Sequence, residues 1–153
     1  MDVTVAGKTI RARIPAGAAN GDKLRLKGQG ERVRGGRSGD LILNLQVEKH
    51  KLLKRDGLNL YIDLPITFTE AIDGAKIEVP TPSGAYAVSI PAGVHSGAKL
   101  RLKGKGVARG KKKGDFYVIV MIHAPDLIDD EIKTAIEAVE RGYSESIRAG
   151  LKL

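Results

Sequence analysis

The 153 residues carry 26 Lys or Arg against 18 Asp or Glu, a net charge of +8, and 42% are hydrophobic but only 4% aromatic. That apolar content is too high for a disordered chain, and area scaling gives roughly 7,500 Å² folded against roughly 24,000 Å² unfolded for a single shared core, room for one domain or two small ones. Cysteine is absent, which excludes a disulfide framework and a thiolate zinc cluster, and no apolar run approaches the roughly 20 residues that span a bilayer. The N-terminus has no signal-peptide pattern, so a soluble, cytoplasmic chain is expected.

The first strands alternate with period two: Ile10, Ala12 and Ile14 against Arg11 and Arg13, then Leu24 and Leu26 against Lys23, Arg25 and Lys27. Leu41, Leu43, Leu45 and Val47 make a further strand, followed by Leu58, Leu60, Ile62 and Leu64. Thr67 and Glu70 have capping-box spacing, and Gly74 closes the short helix they open. Strands at Ile77 and Val79, at Tyr86, Val88 and Ile90, and at Leu100 and Leu102 come next; residues 116–122 are apolar on both faces, as in a strand covered from both sides. Turn residues punctuate these runs at Ala6-Gly7, Ala16-Gly17, Pro82-Ser83-Gly84 and Ala92-Gly93.

One segment occurs twice. Ile14-Pro15-Ala16-Gly17 through Gly30 returns as Ile90-Pro91-Ala92-Gly93 through Gly106, with 12 of 17 positions identical. Each copy runs on through a basic Gly-rich loop to Gly39-Asp40 or Gly114-Asp115. The expected architecture is all-β: two similar small β-sandwich domains in tandem, residues 1–50 and 51–125, followed by a helix and tail over 126–153. The helix stripe is Ile132, Ala135, Ile136, Val139 and Tyr143, with Asp129 as N-cap. That stripe packs either on its own module or on a second chain. The second copy has about twenty residues (58–76: a strand and the short helix) ahead of its Ile77 strand that the first lacks. The chain therefore reads as a fragment whose Val3 to Val5 strand has an exposed edge.

No catalytic or metal constellation is apparent. His50, His95 and His123 stand alone, and the glycine pairs Gly28/Gly30 and Gly104/Gly106 lead into loops and strands, where turns with positive φ account for them. A phosphate loop ending at Gly110-Lys111 would need Gly where Lys105 stands. No cofactor is implied, and the chain reads as a binding protein, not an enzyme. Charge is more informative: residues 101–113 hold seven cations and no anion, whereas 126–145 hold seven anions and two cations. Arg109, Lys111, Lys112 and Lys113 form either a solvated loop or a phosphate-binding surface for DNA, though no aromatic stacking row accompanies them.

Taken together, the repeated Ile-Pro-Ala-Gly and Lys-Leu-Arg-Leu-Lys-Gly strands, the linker His50-Lys51-Leu52-Leu53-Lys54-Arg55-Asp56-Gly57, Asp63-Leu64-Pro65 with Glu70-Ala71, and Ile77-Glu78-Val79-Pro80-Thr81-Pro82 carry a resemblance over nearly the whole chain. The sequence resembles the C-terminal substrate-binding region of DnaJ-type J-domain co-chaperones. No His-Pro-Asp triplet and no Cys-rich insertion occur, so the likeness is to the zinc-free class, which includes the curved-DNA-binding homologues. The resemblance implies two β-sandwiches, a C-terminal dimerisation helix, and binding of unfolded polypeptides for a DnaK-type chaperone, with no metal and no membrane. By position it places a peptide-binding pocket at Val3, Val5, Ile10 and Leu53, with Lys54 and Arg55 beside it for acidic tails. The plainer readings are sandwich core for Val3, Val5 and Ile10, inter-domain packing for Leu53, and solvated cations for Lys54 and Arg55. A non-specific DNA-binding module is the alternative function, and a dimerisation scaffold a third.

Overall fold

The computed structural model describes residues 1–5, 7–31, 36–143 and 147–151; Ala6 of the expected Ala6-Gly7 turn lies outside them. The chain divides into one unit over Met1–Ile122 and a second over His123–Leu153. The first copy consists of two antiparallel hairpins, β1 (Asp2–Val5) with β2 (Lys8–Arg11) and β3 (Lys23–Leu26) with β4 (Leu41–Asn44). The second adds β5 (Leu53–Asp56), β6 (Asn59–Ile66), α1 (Phe68–Asp73), β7 (Ala75–Thr81), β8 (Gly84–Ile90), β9 (Lys99–Leu102), β10 (Ala108–Arg109), β11 (Lys112–Lys113) and β12 (Phe116–Ile122). Its main sheet runs β5-β6-β12-β9, with β6 and β12 parallel, and β7-β8 and β10-β11 form separate hairpins. The all-β architecture with a C-terminal helix, α2 (Asp130–Glu140), is the one the alternation dictates.

The duplication persists at the level of individual bonds. Leu26 faces Leu41 as Leu102 faces Phe116, and Leu24 faces Leu43 as Leu100 faces Val118. Gly21 N–H donates to the Leu45 carbonyl (2.8 Å) as Gly97 does to Val120 (2.7 Å). β1 and β2 correspond in the same way to β7 and β8.

Burial is unequal. Eleven buried residues from β6, α1, β7, β8 and β12 form one core, in which Phe116, Val79, Val118 and Val120 are fully enclosed. At about 1.5–3 kcal/mol per large apolar side chain, that core dominates the stability of the unit. In the first copy Ala12 is the one fully buried hydrophobic among the described residues, and Leu24, Leu26, Leu41, Leu43 and Leu45 are half-buried.

Several expectations need correction. β12 is central, but only the face of Phe116, Val118 and Val120 is enclosed; Met121 is exposed, and on the other face Tyr117 stacks on Tyr61 with ring centroids 5.0 Å apart. The missing strand does not explain the free edge of β1. In the second copy β7, the counterpart of β1, pairs only with β8, while β6 lies between β5 and β12. The place that β6 takes beside β12 corresponds in the first copy to the outer edge of β4. Of the four loop glycines, Gly28 and Gly104 have positive φ (66° and 68°). Gly30 and Gly106 are glycine for another reason, since an added Cβ would stand 2.8 Å from the Asp40 carbonyl oxygen or 2.5 Å from that of Leu58.

Candidate functional site

Val3, Val5 and Ile10 lie on one face of the β1-β2 hairpin. Val3 is directly opposite Ile10, Val5 is two residues along the strand, and all three are half-buried while Asp2, Thr4, Thr9 and Arg11 are exposed. Among the described residues β1 has a strand on one side only. Its outer edge therefore presents backbone donors and acceptors next to an apolar row. Asp2 and Arg11 pair across the open end of the hairpin at 3.3 Å, both well exposed, a contact that contributes little to stability.

Leu53 is not brought to this hairpin pocket. It opens β5 and lines a groove of about 780 Å³ between the two copies, with Ala19, Val47, His50, Leu60 and Val107. A smaller hollow of about 350 Å³ adjoins it and shares His50, Leu53 and Pro82. His50 shapes the approach: its Nδ1 accepts from the Leu52 and Leu53 amides at 3.2 and 3.1 Å. That is a turn-forming role the sequence did not disclose.

The cations beside the groove are engaged internally. Arg55 donates from Nη1 to the Ala18 carbonyl, from Nη2 to that of Gly17 and from Nε to that of Gly57, at 2.8, 2.8 and 2.9 Å. Lys54 Nζ lies 2.8 Å from Asp63, in a half-exposed pair that an acidic ligand would displace at small cost. Arg109 reaches Asp22 at 3.0 Å. The Ala19 amide, followed by Arg109 and Arg55, holds the Asp22 carboxyl below the usual carboxylate range. Gly17 completes this seam, because a side chain there would stand 2.5 Å from the Ala108 carbonyl oxygen. Arg55, Arg109, Asp22 and Gly17 thus hold the first copy against the second.

Part of the basic segment read as a loop is a short hairpin, with Ala108 opposite Lys113 and Arg109 opposite Lys112. Lys105 is occupied, 2.6 Å from the Tyr86 hydroxyl and 4.2 Å from its ring centroid. Lys111, Lys112 and Lys113 are exposed at the hairpin tip.

In the second unit, Asp129 caps α2 by accepting from the Ile132 amide at 2.8 Å. Ala135 is exposed, as are Ile136 and Val139 at 43% each, while Ile132 is half-buried. Tyr143 falls outside the helix. The amides of Gly142 and Tyr143 bond back to Val139 and Glu140, three residues earlier, which tightens and ends the last turn.

A family model described as DnaJ C terminal domain matches residues 2–125. The chain belongs to the DnaJ C-terminal domain family. Among its relatives, the chaperone protein DnaJ of Geobacillus kaustophilus is 42% identical over 146 residues, 94% of this chain and 38% of the relative. The DnaJ of Acholeplasma laidlawii is 41% identical over 95% of this chain and 40% of its own length, and that of Natronomonas pharaonis 37% identical over 92% and 40%. The DnaJ-type domain described here thus spans well under half the length of these relatives. No described helix is long and apolar enough to cross a membrane.

Proposed function

We propose that this DnaJ C-terminal domain binds non-native polypeptides as an added strand on the outer edge of β1. The observation that carries this reading is that, among the described residues, β1 pairs on one side only, beside the half-buried row of Val3, Val5 and Ile10. Main-chain hydrogen bonds are indifferent to sequence, whereas an apolar row selects segments with exposed aliphatic or aromatic side chains, the chemistry that marks an unfolded client. Leu53 and the groove between the copies extend the apolar surface away from the hairpin, and Lys54 offers a displaceable charge to acidic tails. Clients held this way pass to a DnaK-type chaperone, and paired α2 stripes join two such chains. No step of this function requires bond chemistry or a cofactor.

The test is suppression of aggregation of a chemically unfolded client. Val5→Asp places a charge in the apolar row and introduces repulsion along the edge. Suppression is expected to fall to background while circular dichroism and the melting transition hold; undiminished suppression by the folded variant contradicts the reading.

A second reading, binding of duplex DNA, draws on the exposed Lys111, Lys112 and Lys113 at the β10-β11 tip, none of which has an ion pair among the described residues. It requires an affinity that falls steeply with salt and a slope that shrinks when the three lysines are neutralised.

A further inference from the structure

The main sheet of the second copy has two unlike faces. One carries Leu60, Ile62, Leu64, Phe116, Val118 and Val120 into the core. Alternation sends the intervening residues to the other face, where the register lines up Lys54, Tyr61, Tyr117 and Arg101 across β5-β6-β12-β9. A cation therefore flanks each side of a tyrosine pair that lies far apart in sequence. Both rings are half-buried and stack with centroids 5.0 Å apart and planes inclined by 14°. Each ring covers one face of the other, and among the described residues no cation sits over either of them; the cation–π contact there is that of Lys105 with Tyr86.

The β9 edge of this face is cationic. Lys99 and Arg101 point the same way, about 6.6 Å apart as alternate residues of a strand, and Lys103 follows them; all three are exposed. The acids of the face are Asp63, bonded to Lys54 at 2.8 Å, Asp115, which accepts from Arg101 Nε at 2.8 Å and from the Gly104 amide, and Asp56 on the opposite edge strand. Lys99 and Lys103 have no ion pair among the described residues. The first copy supplies a comparison: β3 repeats the stripe as exposed Lys23, Arg25 and Lys27, but Ile42 stands where Tyr117 does. The basic stripe is common to both copies, and the stacked ring is particular to the second.

We propose that Tyr61 and Tyr117, with the stripe of Lys99, Arg101 and Lys103, form a binding surface for single-stranded nucleic acid. Unpaired bases stack on the two rings while phosphates follow β9; the bases of a duplex are already stacked on one another and cannot use the rings. A polypeptide is the poorer occupant, because β6 and β12 beneath the rings are each paired on both sides and offer it no backbone bonds. The proposal rests neither on the β1 edge nor on the Lys111, Lys112 and Lys113 tip.

The test uses the full chain and a fluorescent oligodeoxythymidylate, alone or annealed to its complement, together with a version carrying 5-bromodeoxyuridine for photocrosslinking. The single strand is expected to bind more tightly than the duplex and to crosslink at Tyr61 or Tyr117. Tyr61→Leu and Tyr117→Leu, each with its melting transition intact, should weaken binding about tenfold, as the loss of one stacked base does. Lys99→Gln with Lys103→Gln removes two phosphate contacts and should shrink the salt slope by about 1.4. Neutralising Lys111, Lys112 and Lys113 should leave the tyrosine crosslink in place. Should the tyrosine variants fail to fold, the crosslinks of the unsubstituted chain decide. The proposal is overturned if the single strand does not bind, if it crosslinks only elsewhere, or if the folded tyrosine variants bind as the parent chain does. Equal binding of the duplex, lost with the three tip lysines, overturns it in favour of the tip, and displacement of the probe by an uncharged unfolded polypeptide would make the face a polypeptide site instead.

Discussion

Asp40 and Asp115 close the return loop of each copy in the same way. Oδ1 accepts from the amide of Gly28 or Gly104, at 2.8 and 2.7 Å, and Oδ2 faces Arg25 or Arg101. The glycine amide is the main reason both carboxyls sit below the usual range; the arginine adds to it, and partial loss of water works against it. A carboxyl lowered in the folded state contributes stability that is complete above its unfolded pKa and is lost as pH falls through its folded one. Melting temperature is therefore expected to hold above about pH 5 and to fall below about pH 4. Asp115→Asn should flatten that acid limb relative to the parent chain; an unchanged limb would remove Asp115 from the acid response. The repeated Gly-Asp pair was plain in the sequence. Its role as an acceptor for a glycine amide eleven or twelve residues upstream was not, because the partner is local only in space.

Among the elements, those defined by their own residues were legible before the fold was known. Thr67 and Glu70 do form the reciprocal cap, with Glu70 accepting from the Thr67 amide at 2.8 Å and Thr67 from the Glu70 amide at 3.2 Å. Thr67→Ala should lower the unfolding free energy by about 1 kcal/mol, read from the urea midpoint; no change would mean that tertiary packing alone holds α1. β5 was hidden inside what looked like a linker, although Asp56-Gly57 is a hairpin signal and Gly57 has φ of 56°. Burial was the least legible property. Leu41, Leu43 and Leu45 alternate with Asn44 and Gln46 more clearly than residues 116–122, which are apolar on both faces, yet it is Phe116, Val118 and Val120 that are enclosed, because neighbouring elements decide which row is covered. That difference yields a stability contrast: Gly114→Ala must displace the Leu58 backbone and should destabilise strongly, whereas Gly39→Ala should be nearly silent. Equal effects in thermal melts would show that the two loops are not equivalent.

For the whole molecule, the family and its all-β architecture follow from the repeated motifs and the alternation of the strands, whereas the uses of its surfaces depend on which strand edges and apolar rows are exposed. On the second unit α2 carries an apolar stripe and no buried residue. If paired α2 stripes join two chains, Ile136→Asp with Val139→Asp should yield a monomer by sedimentation, and a persistent dimer would clear the helix of that role. On the first unit Arg55 and Arg109 tie the copies together through backbone carbonyls and Asp22, contacts between residues about 37 and 87 positions apart in sequence that no local pattern reveals. The DNA reading and the polypeptide reading use different surfaces, so each can fail alone. The most direct measurement is amide hydrogen exchange of the full chain with and without an unfolded client. Added protection at the outward-facing amides of Asp2–Val5, lost in Val5→Asp, is the predicted result. A bound client that leaves those amides exchanging as in the free chain would contradict strand addition at β1.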